Sequence, residues 1–287
     1  MTYHRNLSVE SITMAAQRLI CHHCGKIRPV SGTCPKCKSV YIRYIGIGTQ
    51  RIEEETKKDF PQARILRADR DTVKRHESFQ IIFESFKNGQ ADILIGTQMI
   101  GKGLHLPQVN LVGVILADLS LTIPDFRSAE RTFQIITQVA GRAGRQGKKG
   151  EVIIQTYLPD HYAIKNAALH DYQGFVKQEL ELRKAFHYPP FTRLVKITIV
   201  DAKPDLCLKK AQLCFKLIQD EIQNAGEKST TATMYPAFIP KLQNKYRWNI
   251  LVTGCNPSDV IKKVVEKKPE FIEDQGIRID VDPISTV

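Results

Sequence analysis

The sequence predicts an α/β lobe on a parallel sheet, preceded by a zinc-binding four-cysteine segment and followed by a smaller α+β domain. Three observations carry this expectation. Between residues 41 and 160, apolar runs of strand length alternate with amphipathic stretches of helix length, as in a parallel sheet covered on both faces. Cys21, Cys24, Cys34 and Cys37 crowd into one short window. After residue 190 the pattern reads β-α-β-β-α-β. At 287 residues the chain is long enough for two domains with cores. The expected boundaries are 1–40 for an incomplete zinc-binding segment, 41–160 for the α/β lobe, 161–190 for a helical linker and 191–287 for the C-terminal domain.

The first segment rests on metal chemistry. Two C-x2-C knuckles present four thiolates to one tetrahedral ion, with Zn–S distances of about 2.3 Å. Gly25 and Pro35 suit the tight turns this needs. A redox C-x-x-C pair or unliganded thiols is the alternative. Four thiolates leave no open position for a catalytic water, so the expected role of the metal is structural. His22 and His23 are left as solvated loop residues, and Cys207, Cys214 and Cys255 read as core thiols.

In the lobe, residues 41–47, 63–67, 91–95, 111–116 and 151–156 read as strands. Residues 50–60, 75–88 and 128–139 read as helices, the first closed by Pro61 and the second by Gly89. Phe79, Ile82, Phe83 and Phe86 recur at helical spacing. Residues 160–186 read as helical, with Glu179 and Arg183 an i,i+4 pair, until Pro189 and Pro190 end the run. Beyond them come strand 193–200, helix 204–223, strands 231–238 and 245–253, helix 257–267 and strand 276–282. This order suggests a ferredoxin-like domain.

Net charge is +12 with a pI near 9.3, which suits a polyanion partner, most plausibly nucleic acid. No apolar run approaches the ~20 residues of a membrane span, and the first residues carry no signal-peptide core, so no membrane partner and a cytoplasmic location are expected.

The most informative motif is Gln138 to Arg145, Q-x-x-G-R-x-G-R. Gly141 and Gly144 permit close backbone approach, and Arg142 and Arg145 present rigid donor forks that match phosphate oxygens. Upstream, Thr97, Gln98, Lys102 and Gly103 lie in a segment of small residues, a hydroxyl, an amide and backbone amides. That composition suits a phosphodiester chain and equally an ordinary strand-to-helix turn. Lys241, Lys245, Tyr246, Arg247 and Trp248 mix charge with aromatic faces. They fit single-strand stacking or a half-buried edge strand with a basic rim.

Several segments together resemble one family of superfamily 2 helicases. They include the two cysteine knuckles, Gly48–Glu55, Ala68–Thr72, Gly96–Gly103, Ala117–Leu121, Pro124–Gln134 and Thr137–Arg145. The chain resembles the PriA family of bacterial replication restart. The resemblance implies a RecA-like second helicase lobe in an ATP-driven 3′-to-5′ DNA helicase that recognises forks and D-loops. Its implied partners are DNA, single-stranded DNA-binding protein and other primosome proteins; its implied cofactors are Zn²⁺ and ATP with Mg²⁺. In that picture Arg142 and Arg145 reach the γ-phosphate, Gln138 senses the nucleotide, and Gly103, Gly141 and Gly144 lie at the nucleotide site. Thr97, Gln98 and Lys102 face DNA, joined by Lys241, Arg247 and Trp248. Asp125, Arg127, Glu130 and Arg131 belong near the interlobe cleft, the alternative for each being a solvated charged surface.

The chain departs from the family in two ways. No G-x-x-x-x-G-K-[ST] loop and no Asp-Glu-x-His box occurs, and the family carries both in a first lobe. The family also has eight cysteines in two interleaved sites, of which this chain has the last four, and residues 7 to 18 read as an insertion. The expectation is therefore a C-terminal portion, inactive as a lone polypeptide. The alternative is a non-catalytic DNA- and partner-binding module, with an RNA helicase a weaker third reading.

Overall fold

The computed structural model describes residues 7–10, 18–21, 27–29, 48–69, 76–97, 100, 108–141, 150–226, 229–269 and 274–287. The chain divides into two compact units, one formed by Met1–Ser31, Leu119–Glu130 and Tyr172–Val287, the other by Gly32–Asp118 and Arg131–Asp171.

The first unit begins with a small antiparallel sheet of β1 (Leu7–Glu10), β2 (Arg18–Cys21) and β3 (Ile27–Pro29), in that order. Cys21 is the last residue of β2, which pairs with β3. Cys24, Cys34, Cys37 and the strand expected at 41–47 lie outside the described residues.

The second unit contains α1 (Thr49–Asp59), β4 (Ile65–Ala68), α2 (His76–Lys87), β5 (Ile93–Gly96), β6 (Leu111–Val114) and β7 (Glu151–Ile154). Pairing is parallel, as the alternation of strands and helices predicts. Among the described residues it forms two two-stranded sheets, β4 with β5 and β6 with β7. Helix α2 stops where Gly89 takes a φ of +73°, its N–H donating to the Phe86 carbonyl at 3.1 Å while Gln90 N–H reaches Ser85 at 3.0 Å. The left-handed turn satisfies carbonyls that have no helical partner and costs glycine nothing. Gly96 has a packing reason: a Cβ there would lie 2.5 Å from the Ala68 carbonyl oxygen.

Helix α3 (Ser128–Ala140) follows the turn at residues 120–127. The helical run expected over 160–186 is in fact two helices, α4 (Tyr162–Ala168) and α5 (Tyr172–Ala185). His170 adopts a φ of 53°, and the Asp171 N–H donates to the Asn166 carbonyl at 2.8 Å, closing α4 before α5 starts.

The C-terminal domain holds β8 (Arg193–Asp201), α6 (Pro204–Ala225), β9 (Thr231–Leu242), β10 (Lys245–Gly254), α7 (Pro257–Lys267) and β11 (Ile277–Val281). The sheet order is β11-β8-β10-β9, antiparallel throughout. Gln243 and Asn244 both take positive φ, which matches the twist of a two-residue hairpin. Val195, Ile197 and Ile199 of β8 and Ile250 and Val252 of β10 are fully buried on one face. Cys207, Ala211, Cys214 and Ile218 of α6 and Val260, Ile261 and Val264 of α7 pack over them. A period of two in the strands thus meets a period of 3.6 in the helices.

Cys207 and Cys214 are buried as expected, and burial pushes the Cys214 thiol up to about 11. Cys255 is exposed, contrary to the core-thiol reading, because it lies past the end of β10 in the connection to α7. Among the described residues, no helix is long and apolar enough to cross a membrane.

The other face of the sheet takes the end of the chain. Lys196 Nζ donates to the backbone oxygens of Ser285 at 2.7 Å and Val287 at 3.2 Å, and the Tyr235 hydroxyl donates to that of Thr286 at 2.8 Å.

Ile250→Ala is expected to cost about 3 kcal/mol, since the cavity is lined by two helices that cannot collapse into it. Gly96→Ala is expected to cost about 1–3 kcal/mol by forcing the ends of β4 and β5 apart. Urea unfolding of each variant against the parent chain measures both.

Candidate nucleotide and nucleic-acid site

Helix α3 carries the residues with the strongest chemical signal. Its N-terminus is built by Asp125, whose carboxylate accepts the Arg127 N–H at 2.9 Å and whose carbonyl accepts the Ser128 N–H at 3.0 Å. The Ser128 hydroxyl donates back to the Ile123 carbonyl at 2.6 Å. Thr132, Phe133 and Ile136 form the buried face, at the spacing of one helical side.

Gln138 is exposed in the last turn. The Gly141 N–H still donates to the Thr137 carbonyl at 3.0 Å, so the helical pattern runs to the motif's first glycine. A Cβ on Gly141 would meet only the carbonyl oxygens of Thr137 and Gln138, at 3.5 and 3.7 Å, which is ordinary contact. Packing among the described residues therefore does not demand glycine there, in contrast to Gly96. Arg142, Gly144 and Arg145 lie outside the described residues, as do Gln98, Lys102 and Gly103. Thr97 is exposed just past β5.

Two other motif segments meet at the end of β4. The Thr49 hydroxyl donates to the buried carboxylate of Asp69. Arg67 bridges Asp69 at 3.1 Å and Glu53 at 3.2 Å, tying α1 to the strand. Asp118 does similar work at the end of β6. It accepts the Tyr157 N–H at 2.7 Å and the Thr156 hydroxyl, which fastens the residues beyond β7. These carboxylates are occupied by structure.

Asp125, Arg127 and Glu130 are not a solvated surface. Asp125 is buried and accepts the Ser285 hydroxyl. Glu130 accepts Arg127 at 2.7 and 3.1 Å and Arg183 at 2.8 Å. Arg183 also holds Glu179 at 2.7 Å and the Pro189 carbonyl at 3.3 Å, with its guanidinium 5.2 Å from the centre of the Phe126 ring. Phe126 in turn stacks on Tyr188, ring centres 5.5 Å apart. The two arginines, Arg127 foremost, hold the Glu130 carboxyl well below the ordinary range, at about 2. The i,i+4 spacing exposed the Glu179–Arg183 pair, but the third partner sits 53 residues away in sequence. No local signal marks such a partner.

In the C-terminal domain, Lys241 sits at the surface with its Nζ 5.1 Å from the centre of the Tyr246 ring. Trp248 packs against the helix-covered core, while Arg247, adjacent on the strand, is half-buried. Strand β10 is interior, so the edge-strand alternative holds only for β9, which carries Lys241.

Residues 37–147 match the helicase conserved C-terminal domain, and residues 184–284 match the primosomal protein N C-terminal domain. Replication restart protein PriA of Bacillus subtilis is 42% identical over 285 residues, covering 98% of this chain and 34% of that protein. The Synechocystis protein of the same name is 38% identical over 271 residues, 93% of this chain and 32% of the relative. That of Haemophilus influenzae is 36% identical over 288 residues, 98% of this chain and 37% of the relative. The chain spans about a third of the length of these relatives.

Because the folded state depresses the Glu130 carboxyl, its contribution to stability is present above about pH 4.5 and is lost as pH falls toward about 2. Glu130→Gln is expected to cost about 2 kcal/mol at neutral pH, after allowance for partial solvent screening. It should also flatten the acid limb of the stability profile between those values, read by urea unfolding from pH 2 to 7.

Proposed function

The chain belongs to the PriA family of replication restart proteins, and on that premise we propose that it forms the C-terminal part of an ATP-dependent 3′-to-5′ DNA helicase. Its RecA-like lobe closes the nucleotide site, and forks and D-loops are the DNA it serves in primosome assembly. The observation that carries this reading is the Gln138–Arg145 segment, set at the end of a well-anchored helix and inside the residues that match the helicase domain.

Arg142 and Arg145 supply positive charge to the γ-phosphate as it transfers, and Gln138 senses the nucleotide. Gly103, Gly141 and Gly144 let backbone approach it. Thr97, Gln98 and Lys102 contact the tracked strand, and Lys241 and Arg247 offer basic contacts on the C-terminal domain. The phosphates and Mg²⁺ themselves need a G-x-x-x-x-G-K-[ST] loop, which this sequence does not contain. Hydrolysis therefore requires a first lobe. DNA, single-stranded DNA-binding protein and primosome proteins are the partners, in the bacterial cytoplasm.

The donor set fits zinc. Two C-x2-C knuckles supply four thiolates, and Cys21 sits at the end of β2 beside the β2–β3 connection that a knuckle would occupy. Cys21, Cys24, Cys34 and Cys37 would hold the ion, with a structural role. The βαββαβ domain is read as ferredoxin-like, its sheet order supporting that assignment.

The test is DNA-stimulated ATP hydrolysis by this chain, alone and mixed with a first-lobe polypeptide of the family. Hydrolysis is expected only in the mixture, and Arg145→Ala should lower it about 10³-fold. A mixture that binds fork DNA and hydrolyses nothing would assign a binding role instead.

A further inference from the structure

We infer that the tip of the β9–β10 hairpin is a junction wedge: Leu242 seats on the last base pair of a duplex where its strands part, and Lys241 and Lys245 meet phosphates on either side. The inference rests on the DNA reading above and names a part of this chain that tells a fork from a continuous strand.

Charge singles this hairpin out. From Ser229 to Ser258 the sequence holds Lys241, Lys245 and Arg247 and no Asp or Glu, in a chain with 30 carboxylate residues. A polyanion approaches such an arm without repulsion from the arm's own side chains. The tip also outruns the sheet. Strand β8 ends at Asp201, opposite Tyr246, so beyond the Lys241–Tyr246 pair only Leu242 and Lys245 remain, paired with each other. Gln243 and Asn244 close the turn with φ of 50° and 62°. A two-residue turn of that hand matches the strand twist and keeps the tip short and stiff. Residues 241–245 are all exposed, and Leu242 keeps 48% of its surface in solvent. A second exposed aliphatic, Ile239, lies three residues earlier on β9.

Alternation along the strands sorts the side chains. Leu242, Lys245 and Arg247 share one face, and Lys241 and Tyr246 share the other. Positive charge therefore stands on both faces of the tip, as diverging strands place phosphates on both sides of a junction. The apolar component decides between a junction and a continuous single strand. Single strands are gripped by bases that stack on aromatic rings. The two rings of β10 are committed elsewhere: Tyr246 and Trp248 pack against the helix-covered core, and the Lys241 Nζ lies 5.1 Å from the centre of the Tyr246 ring. On β9, the Tyr235 hydroxyl is tied to Thr286 and Phe238 is half-buried. What the tip presents is an aliphatic side chain. Aliphatic wedges act at base-pair steps, where they take the place of a stacking neighbour while flanking cations hold the backbone. The last pair before a junction is the easiest to reach, because one of its stacking neighbours is already missing.

The experiment titrates the intact chain into three labelled DNAs of shared sequence: a forked duplex, the blunt duplex and one single strand. A 2-aminopurine in the last base pair of the fork reports unstacking. The parent chain should hold the fork at least about tenfold tighter than either other DNA and brighten the 2-aminopurine. Leu242→Gln should lower fork affinity about tenfold, abolish the brightening and leave single-strand affinity within about twofold. Lys241→Gln combined with Lys245→Gln should reduce the slope of log K against log salt on the fork by about 2. All three positions are exposed, so the Tm of each variant should stay within about 2 °C of the parent. A Leu242→Gln chain that keeps both the fork preference and the brightening overturns the wedge and leaves the DNA reading standing. A parent chain that binds the three DNAs alike does the same. A parent chain that binds none of them sinks the DNA reading itself, and the wedge with it.

Discussion

The arrangement of the first unit depends on one ion cluster, Arg183 between Glu130 and Glu179. It gives the segment Leu119–Glu130 a charged hold on α5. An arginine shielded from water is costly unless its donors are answered, and here two carboxylates and a carbonyl meet the N–H edges of the guanidinium while an aromatic ring covers one face. Such a cluster admits few alternative arrangements.

The C-terminal sheet shows how one strand pattern serves two environments. On one face Val195, Ile197, Ile199, Ile250 and Val252 make a dry core with two helices. On the other, Leu194 is equally buried, but beside it Lys196 and Tyr235 bond the backbone of Ser285, Thr286 and Val287. Burial lowers the Lys196 ammonium below its ordinary value and raises the Tyr235 phenol. The end of the chain answers polar groups that a second layer of apolar helices could not satisfy. Through Ser285 the same segment reaches Asp125, so the two features are one continuous polar layer.

In the α/β unit the charged motif residues divide by role. Asp69 and Asp118 are consumed in holding strand ends, and Arg67 and Glu53 in joining α1 to β4. Gln138 and Thr97, by contrast, stand exposed at the ends of regular elements. That division is the expected one for a lobe whose ligands bind beyond the carboxyl ends of its strands.

Most elements were legible in the sequence, because hydrophobic period and chain breakers are local. The expected helix at 257–267 has those bounds, and Gly89 ends its helix as its position implied. The family was legible too, since motif spacing along the chain is a sequence property. The break at His170 was not, because a single left-handed residue inside a helical pattern leaves no periodic trace. Nor was the exposure of Cys255, which a residue's type cannot report. By itself, then, the sequence determined element type, element order and the family. Only the tertiary structure decided that Glu130 and Asp125 serve as anchors and that Trp248 faces a core. Those roles depend on partners many residues away, and side-chain burial is a property of the packed chain.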